Sequence, residues 1–162
     1  MKWVNHKLVT GSLIFAVTGN PILSLVSAAG SIVPDAIERM PIGKRMTHRQ
    51  FSHWWLPYLV VFYLSYSSAS QHGVLNITAK NIYDLVFYQH FSSLSGFLVI
   101  AYFSLGSLLH IAEDAFCGTV PCITIHHRIG IKLFKVGSPR EYLIAFSLSL
   151  LLLSSRLYLG WF

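Results

Sequence analysis

Apolar residues are gathered in five stretches that short polar segments separate. The stretches cover residues 8–18, 22–33, 54–67, 94–111 and 142–159. Only the last two approach the roughly 20 residues that a helix needs to cross the hydrocarbon core of a bilayer. The first two are shorter, so we expect a helical hairpin that enters the membrane without crossing it fully. The pattern predicts an all-α membrane protein built as a small helical bundle.

The turn of the N-terminal hairpin is predicted at residues 19–21, which read Gly-Asn-Pro and are typical of a chain reversal. A cleaved signal sequence is the alternative, because two lysines precede the apolar residues and the Ser-Ala-Ala of residues 27–29 resembles a signal-peptidase site. The break at 19–21 interrupts the apolar run in the middle. We therefore expect the segment to remain in the mature protein as a hairpin.

The other elements have local signals of their own. Thr47 and Gln50 form a capping box that predicts a helix start ahead of the third stretch, and Pro57 is expected to kink this helix or to mark a packed turn. Residues 68–91 are more polar and predict an exposed connection with a short amphipathic helix. The β-branched residues between 120 and 136 predict one small β-hairpin, the only sheet.

Composition indicates a membrane protein with a single domain, residues 1–162. The chain is 54% hydrophobic and only 11% charged, whereas a soluble domain carries about a quarter charged residues. We find no internal repeat. The net charge of +6 comes from basic residues in short segments that flank the apolar runs. This placement indicates membrane topology or contact with anionic lipid, and no nucleic-acid partner is expected.

Threading the stretches alternately up and down places three segments at one end of the bundle: the N-terminal tail, residues 34–53 and residues 112–141. This end carries 10 of the 12 basic residues, all except Lys80 and Arg156. The positive-inside rule makes it the cytoplasmic end, where the β-hairpin also lies. Ionisable groups near an apolar zone are costly and tend to be functional. The same end gathers most of the acidic residues and histidines: His6, Asp35, Glu38, His48, His53, His110, Glu113, Asp114, His126, His127 and Glu141.

Two pairs in this cluster have features of metal ligands. His110 and Asp114 are four residues apart at the end of the fourth stretch, so both lie on one helical face as a half-site for zinc, manganese or iron. The alternative is a helix-end histidine bonded to a carboxylate. His48 and His53 are about 140° apart on an ideal helix, so both can bind one ion only if the first turn is irregular. Otherwise one is a ligand and the other hydrogen-bonds to a ligand or contacts a phosphate.

Further candidates lie nearby in the predicted topology. Pro34 is expected to end the second helix of the hairpin and to leave Asp35 at the interface, where its carboxylate either bridges metals or is solvated. His6, at the mouth of the first helix, is either a ligand or a solvated terminal histidine. Arg49 can bind a phosphate or contact a lipid headgroup. Their convergence at one end favours the functional interpretation of each.

The order of these motifs resembles the YdjM-like membrane-bound metal-dependent hydrolases of bacteria, a family distantly similar to the zinc-dependent phospholipase C and nuclease superfamily. The shared features are an N-terminal His, a Pro-Asp after a hairpin, His-Arg-x-x-Ser/Thr-His, His-x-x-x-Asp at a helix end and a later Gly and Glu. This chain departs from the family at Ile37 and Cys117, where the family has an acidic residue and a Thr. The resemblance implies metal-binding roles for His6, Asp35, His48, His53, His110 and Asp114, with Glu141 a less certain member.

The leading hypothesis is a metal-dependent hydrolase of a phosphoester in a lipid or lipid-linked substrate, at the cytoplasmic face of a bacterial inner membrane. Zinc is the expected ion, with manganese or iron as alternatives. The alternative function is a non-catalytic membrane protein of the same fold that binds a metal or a protein partner. A transporter is disfavoured because almost no ionisable group lies at mid-membrane. The candidate bases are Glu113 and Glu141, and the candidate phosphate contacts are Arg49, Arg128 and Lys132.

Overall fold

The computed structural model describes residues 1–40, 51–71 and 93–158. This part of the chain is mainly helical, as the sequence predicts. Two short strands, β1 (Val120–Pro121) and β2 (Arg128–Ile129), form an antiparallel pair. The helices are α1 (Trp3–Thr18), α2 (Pro21–Gly30), α3 (Val33–Arg39), α4 (Trp55–Gln71), α5 (Ser93–Cys117) and α6 (Pro139–Tyr158).

The helices pack beside one another in the order α6, α1, α2, α5, α4. α1 and α2 form the predicted hairpin. Gly19 ends α1 in a left-handed conformation with a φ of 66°, which glycine adopts without a steric cost. The side chain of Asn20 begins α2 by accepting hydrogen bonds from the amides of Ile22 and Leu23. The turn predicted at residues 19–21 is therefore confirmed.

Pro34 does not end the second helix of the hairpin, so that expectation is wrong. α2 ends at Gly30, and Pro34 lies in the first turn of α3, where a helix needs no amide donor. Residues 31 and 32 keep right-handed helical dihedral angles between the two helices. The carbonyl of Gly30, four residues before the proline, accepts a hydrogen bond from the hydroxyl of Ser107 at 2.9 Å. α2 and α3 consequently form one nearly continuous segment.

Among the described residues, three segments are long and apolar enough to cross a membrane: Pro21–Arg39, Gly96–Cys117 and Pro139–Tyr158. The first combines α2 with α3 and is longer than the apolar stretch 22–33, so the second arm of the hairpin is long enough to cross a membrane and the expectation that it stops short is wrong for this arm. The outer face of α6 is strongly apolar, with Leu143 69% exposed and Phe146 64% exposed. An exposed apolar face of this kind suits contact with lipid.

Small residues bring α2 and α5 into close contact. A Cβ atom on Gly30 would lie 1.9 Å from the carbonyl oxygen of Phe103, and one on Gly106 would lie 2.0 Å from that of Ser27. The Ser27 hydroxyl also donates to the carbonyl of Tyr102 at 2.9 Å. Small residues and hydroxyl bonds of this kind mediate helix association in membranes. Because α3 follows α2 directly, the contact also positions α3 beside the end of α5.

The predicted β-hairpin is present but shorter than the segment 120–136. The chain after β2 is fixed to α5, because the amides of Ile131 and Leu133 donate to the carbonyls of Ala115 and Phe116 at 2.8 and 2.7 Å. Carbonyls in the last turn of a helix have no partner within the helix, and these bonds supply one. The loop before α6 is thereby held against the end of α5.

α4 begins later than the sequence indicates. Its first residue is Trp55, so Pro57 lies in the first turn, where proline removes no helical hydrogen bond, and the predicted kink has no cause there. His53 lies in the turn before α4 and not on the helix. The predicted capping box of Thr47 and Gln50 lies outside the described residues. Of the connection predicted over residues 68–91, residues 68–71 belong to α4 instead, and residues 72–91 lie outside the described residues.

The topology makes a prediction for two loops. Reporter fusions after Val136 should be cytoplasmic, because Val136 lies at the end of the bundle that carries most of the basic residues. Fusions near Gln71 should be on the opposite side of the membrane. The indole of Trp55 at the start of α4 donates to the carbonyl of Cys122, and Gln71 ends α4 about 25 Å away. Fusions of a phosphatase and of a fluorescent protein after Val136 and near Gln71 report the compartment of each site. Finding both reporters in one compartment would contradict the threading.

Candidate metal centre

Several helix ends meet at one end of the bundle and carry the predicted ligands. His6 lies near the start of α1, Asp35 in the first turn of α3, and His53 in the turn before α4. His110 and Asp114 occupy the last two turns of α5. The three histidines and Asp114 are fully buried, and Asp35 is partly buried. The structure therefore brings together five of the six residues that the sequence proposes as ligands.

Four of these side chains form a group with the size of a metal site. Asp35, His53, His110 and Asp114 each place one ligand atom within 4.8 Å of the others. His53 Nε2 is 3.4 Å from Asp35 Oδ1 and 3.2 Å from Asp114 Oδ2. His110 Nε2 is 3.6 Å from each of these oxygens and 3.3 Å from His53 Nε2. Ligands about 2.0–2.1 Å from one tetrahedral ion lie roughly 3.3–3.4 Å apart. This four-ligand group can therefore hold a metal ion.

Neighbouring polar groups orient two of the ligands. Glu38 Oε1 is 3.2 Å from His53 Nδ1 and accepts a hydrogen bond from the Ser52 hydroxyl at 3.0 Å, so His53 turns Nε2 towards the centre. The indole N–H of Trp3 donates to Asp35 Oδ2 at 2.6 Å, which leaves Oδ1 facing the histidines. Hydrogen bonds of this kind behind histidine and carboxylate ligands are typical of metal sites.

His6 adjoins the four-ligand group at the second oxygen of Asp114. Its Nε2 lies 3.3 Å from Asp114 Oδ1, and its ring stacks on that of His110 with centroids 3.8 Å apart. His6 Nδ1 is 2.5 Å from Glu113 Oε2, and the other oxygen of Glu113 accepts from the Thr10 hydroxyl at 3.0 Å. Asp114 thus directs Oδ2 towards the four-ligand group and Oδ1 towards His6. Glu113 contacts the centre through His6.

The donor set of the centre fits a cation. Four buried or half-buried carboxylates surround the three histidine rings. The amino group of Met1 pairs with Asp114 Oδ1, and Cys117 Sγ lies 3.4 Å from this oxygen. Buried charges require partners with good geometry, and oxygen and imidazole donors match a divalent ion. Both the charge and the geometry of the residues therefore fit a metal.

The protonation of His53 depends on the carboxylates around it. Burial lowers the pKa of His53, but its hydrogen bonds to Asp114, Asp35 and Glu38 outweigh burial and raise the pKa to about 10. In the metal-free protein His53 is therefore protonated at neutral pH. Imidazole binds metals in its neutral form, so an ion must displace this proton.

Metal affinity should consequently rise with pH between about 6.5 and 10. Because the pKa of His53 in the folded, metal-free protein is about 10, an ion must displace a proton from this ring at lower pH, and the cost of doing so falls as the pH approaches 10. Release of one proton per ion makes binding about tenfold tighter per pH unit. Chelator-competition titrations at several pH values measure the slope. The pH dependence of metal affinity should vanish in His53→Ala and persist in His127→Ala. A wild-type affinity that does not change with pH would contradict the assignment of His53 as the ligand that loses a proton.

Glu141, a candidate base and metal residue, lies outside the four-ligand group. Its Oε1 accepts from the backbone amide of Lys2 and the side-chain amide of Asn5, both at 2.6 Å. Its Oε2 accepts from the amide of Gly137 at 2.5 Å. In the structure Glu141 therefore joins the start of α1 to the start of α6.

The other candidates have different positions. His48 and Arg49 lie outside the described residues, and nothing in the structure bears on them. The side chain of Arg128 is exposed and donates to the carbonyl of Thr119 at 2.9 Å. Lys132 lines a cavity near the end of α5. His126 and His127 are exposed on the β-hairpin.

Three side chains support the centre without having been predicted as part of it: Trp3, Thr10 and Ser52. Two of them had a local signal. Thr10 follows His6 by four residues and so shares its helical face, and Ser52 precedes His53 directly. Trp3 had none, because its bond to Asp35 depends on how α3 docks against α1.

Comparisons with known protein families, with curated proteins and with solved structures found no match for this chain. A fold alone does not imply an activity, so the chemistry of the site is what indicates a function. The site consists of the four-ligand group with its hydrogen-bonded neighbours, at the end of apolar helices.

Proposed function

We propose that this chain is a metal-dependent phosphoester hydrolase that acts on a lipid or lipid-linked substrate at the cytoplasmic face of a bacterial inner membrane. The observation that carries the proposal is the buried group of two imidazole nitrogens and two carboxylate oxygens at the end of helices apolar enough to cross a membrane. Zinc is the proposed ion because these donors at tetrahedral spacing suit it, with manganese and iron as alternatives. The motif order that resembles the YdjM-like hydrolases supports the same function.

The residues around the ligands have proposed roles in the reaction. A bound divalent ion lowers the pKa of a water molecule to about 7 and polarises a phosphoryl oxygen. Glu113, the base predicted from the sequence, is proposed to act by orienting His6, which takes up the proton: the Glu113 carboxylate holds His6 Nδ1 at 2.5 Å, and His6 Nε2 is turned to the centre. A carboxylate that fixes one ring nitrogen leaves the other to act as the base. Lys132 and Arg128 are proposed phosphate contacts, and Arg49 keeps that predicted role.

A second candidate function is a non-catalytic membrane protein that binds a metal or a protein partner. One observation favours it: four protein ligands complete a tetrahedral shell, as in structural sites, whereas catalytic sites keep a position for water. Asp35 is the ligand with accessible surface, since 19% of its side chain is exposed and those of the other three are at most 1% exposed. The hydrolase requires that the centre admit water or substrate beside Asp35.

A phosphoester screen with metal-loaded protein separates the two functions. Protein purified in detergent would be analysed for bound metals and assayed against soluble phosphoesters, phospholipids and polyprenyl phosphates. If the chain is a hydrolase, we expect turnover that a chelator abolishes and added zinc restores. Glu113→Gln should keep the metal while the rate falls by about 10²- to 10⁴-fold, and Glu141→Gln tests the other predicted base. A blank screen with metal-loaded wild type would overturn the hydrolase and favour the second candidate.

A further inference from the structure

Two adjoining cavities border the metal centre. The first, of about 780 Å³, lies between the end of α5 and the loop before α6. Its charged lining consists of Lys132, Lys135 and Arg140, and none of the described residues that line it is acidic. Glu141 follows Arg140 in the sequence, but both of its oxygens accept hydrogen bonds from amides. The cavity is therefore a basic space that fits an anion.

The second cavity is apolar and smaller, about 220 Å³, and lies between α1, α5 and α6. Val9, Ile144, Ala145 and Leu148 contribute to its wall. Ile144 and Leu148 are each 42% exposed on α6, which is long and apolar enough to cross a membrane. The cavity consequently opens on the side of α6 that suits lipid, and it fits a hydrocarbon chain.

The two cavities adjoin beside the metal centre. Leu133 and Phe134 line both of them, so the basic and apolar spaces meet at these residues. Cys117 lines the basic cavity, and its Sγ is 3.4 Å from Asp114 Oδ1. Glu113, whose carboxylate contacts His6 in the centre, lines the apolar cavity. A molecule that occupied both spaces would lie against the centre.

We propose that the two cavities together bind one phosphate-bearing membrane lipid, with its phosphate among Lys132, Lys135 and Arg140 and one acyl chain in the apolar cavity. The charge and polarity of the two spaces match the two ends of such a molecule, and basic residues at the end of a membrane helix attract anionic headgroups. Free phosphate would leave the apolar cavity unused. As an assignment of substrate class the inference rests on the proposed function, whereas the binding site is tested without turnover.

The test measures binding of a fluorescent-acyl phosphatidic acid to the full-length protein in neutral detergent micelles, with the metal removed. The charge variant combines Lys132→Gln, Lys135→Gln and Arg140→Gln, and Lys7→Gln, on exposed α1 surface outside both cavities, is its control. The triple variant should weaken binding by about 100-fold, as expected for three basic residues near an anionic headgroup. Lys7→Gln should bind as the wild type does.

The apolar cavity is tested with neighbouring residues of α6. Ile144→Trp places a large ring at the cavity wall and should weaken phosphatidic acid binding by about tenfold, on the scale of a lost apolar contact. Leu143→Trp is the control, because Leu143 is 69% exposed and does not line the cavity. Equal affinities for phosphatidic acid and diacylglycerol, which has the acyl chains but no phosphate, would overturn the inference, and so would equal losses in each variant and its control.

The lipid-binding experiment and the phosphoester screen can each give a negative result while the other is positive. If the metal-free protein binds phosphatidic acid as described while the metal-loaded protein hydrolyses no phosphoester, the lipid site stands and the hydrolase is wrong. If hydrolysis is found but phosphatidic acid binding does not depend on the two cavities, the lipid site is wrong and the hydrolase stands. Inorganic phosphate that displaces the lipid completely at micromolar concentration would also overturn the inference, because the acyl chain would then contribute nothing.

Discussion

Asp114→Ala should lower the metal affinity of the protein by more than about 100-fold, beyond the 10- to 100-fold that loss of an outer hydrogen-bond partner costs. Asp114 is fully buried and supplies an oxygen 3.2 Å from His53 Nε2 and 3.6 Å from His110 Nε2. Its second oxygen faces His6 at 3.3 Å. Removal of this one carboxylate therefore takes a ligand from the group and leaves His6 without its acidic neighbour in the centre.

The measurement is the metal content of purified protein together with chelator competition. His127→Ala is the matched control, since its side chain is exposed on the β-hairpin, and it should keep wild-type metal affinity. Asp114→Asn keeps the shape of the buried side chain and separates loss of a ligand from loss of packing; it should also weaken metal binding strongly while the protein stays folded. Wild-type affinity in Asp114→Ala would exclude the four-ligand group as the metal site.

Gly106→Ala should destabilise the bundle by about 1–3 kcal/mol or more, as overpacked core substitutions do. A Cβ atom there would lie 2.0 Å from the backbone carbonyl oxygen of Ser27, and backbone cannot move aside as a flexible side chain can. α2 would have to move away from α5, which stretches the bond from Ser107 to the Gly30 carbonyl. Because α3 follows α2, Asp35 would shift away from His110, and metal affinity should fall as well.

Gly96→Ala is the control for this substitution on the same helix. A Cβ atom on Gly96 would meet nothing within 4 Å, so the change should be neutral or stabilising, since alanine is favoured over glycine in a helix by about 1 kcal/mol. Thermal unfolding in detergent, followed by size-exclusion chromatography, measures both variants. Equal melting temperatures for Gly106→Ala and Gly96→Ala would show that the close approach of α2 and α5 does not hold the bundle together.

Much of the architecture could be predicted from local patterns. Apolar stretches predicted the helices, the Gly-Asn-Pro of residues 19–21 predicted the hairpin turn, and β-branched residues predicted the strand pair. Pro34 was misinterpreted, because a proline is equally compatible with the end of one helix and the first turn of the next. The hydroxyl of Ser107, 73 residues further along the chain, bonds to the Gly30 carbonyl opposite this proline. A local pattern cannot show that bond.

The candidate metal site was also predicted in part from the sequence and completed only by the tertiary structure. The sequence by itself determined the pair His110 and Asp114, because spacing along a helix fixes which side chains share a face. Alternate threading also predicted that Asp35 and His53 would lie at the same end, and the resemblance implied that both bind the metal. Only the tertiary structure decided that Asp35 and His53 complete the group and that Glu113 faces His6. These outcomes depend on the close approach of α2 to α5 and on the turn before α4, where distances of a few ångströms between separate elements select the partner of each atom.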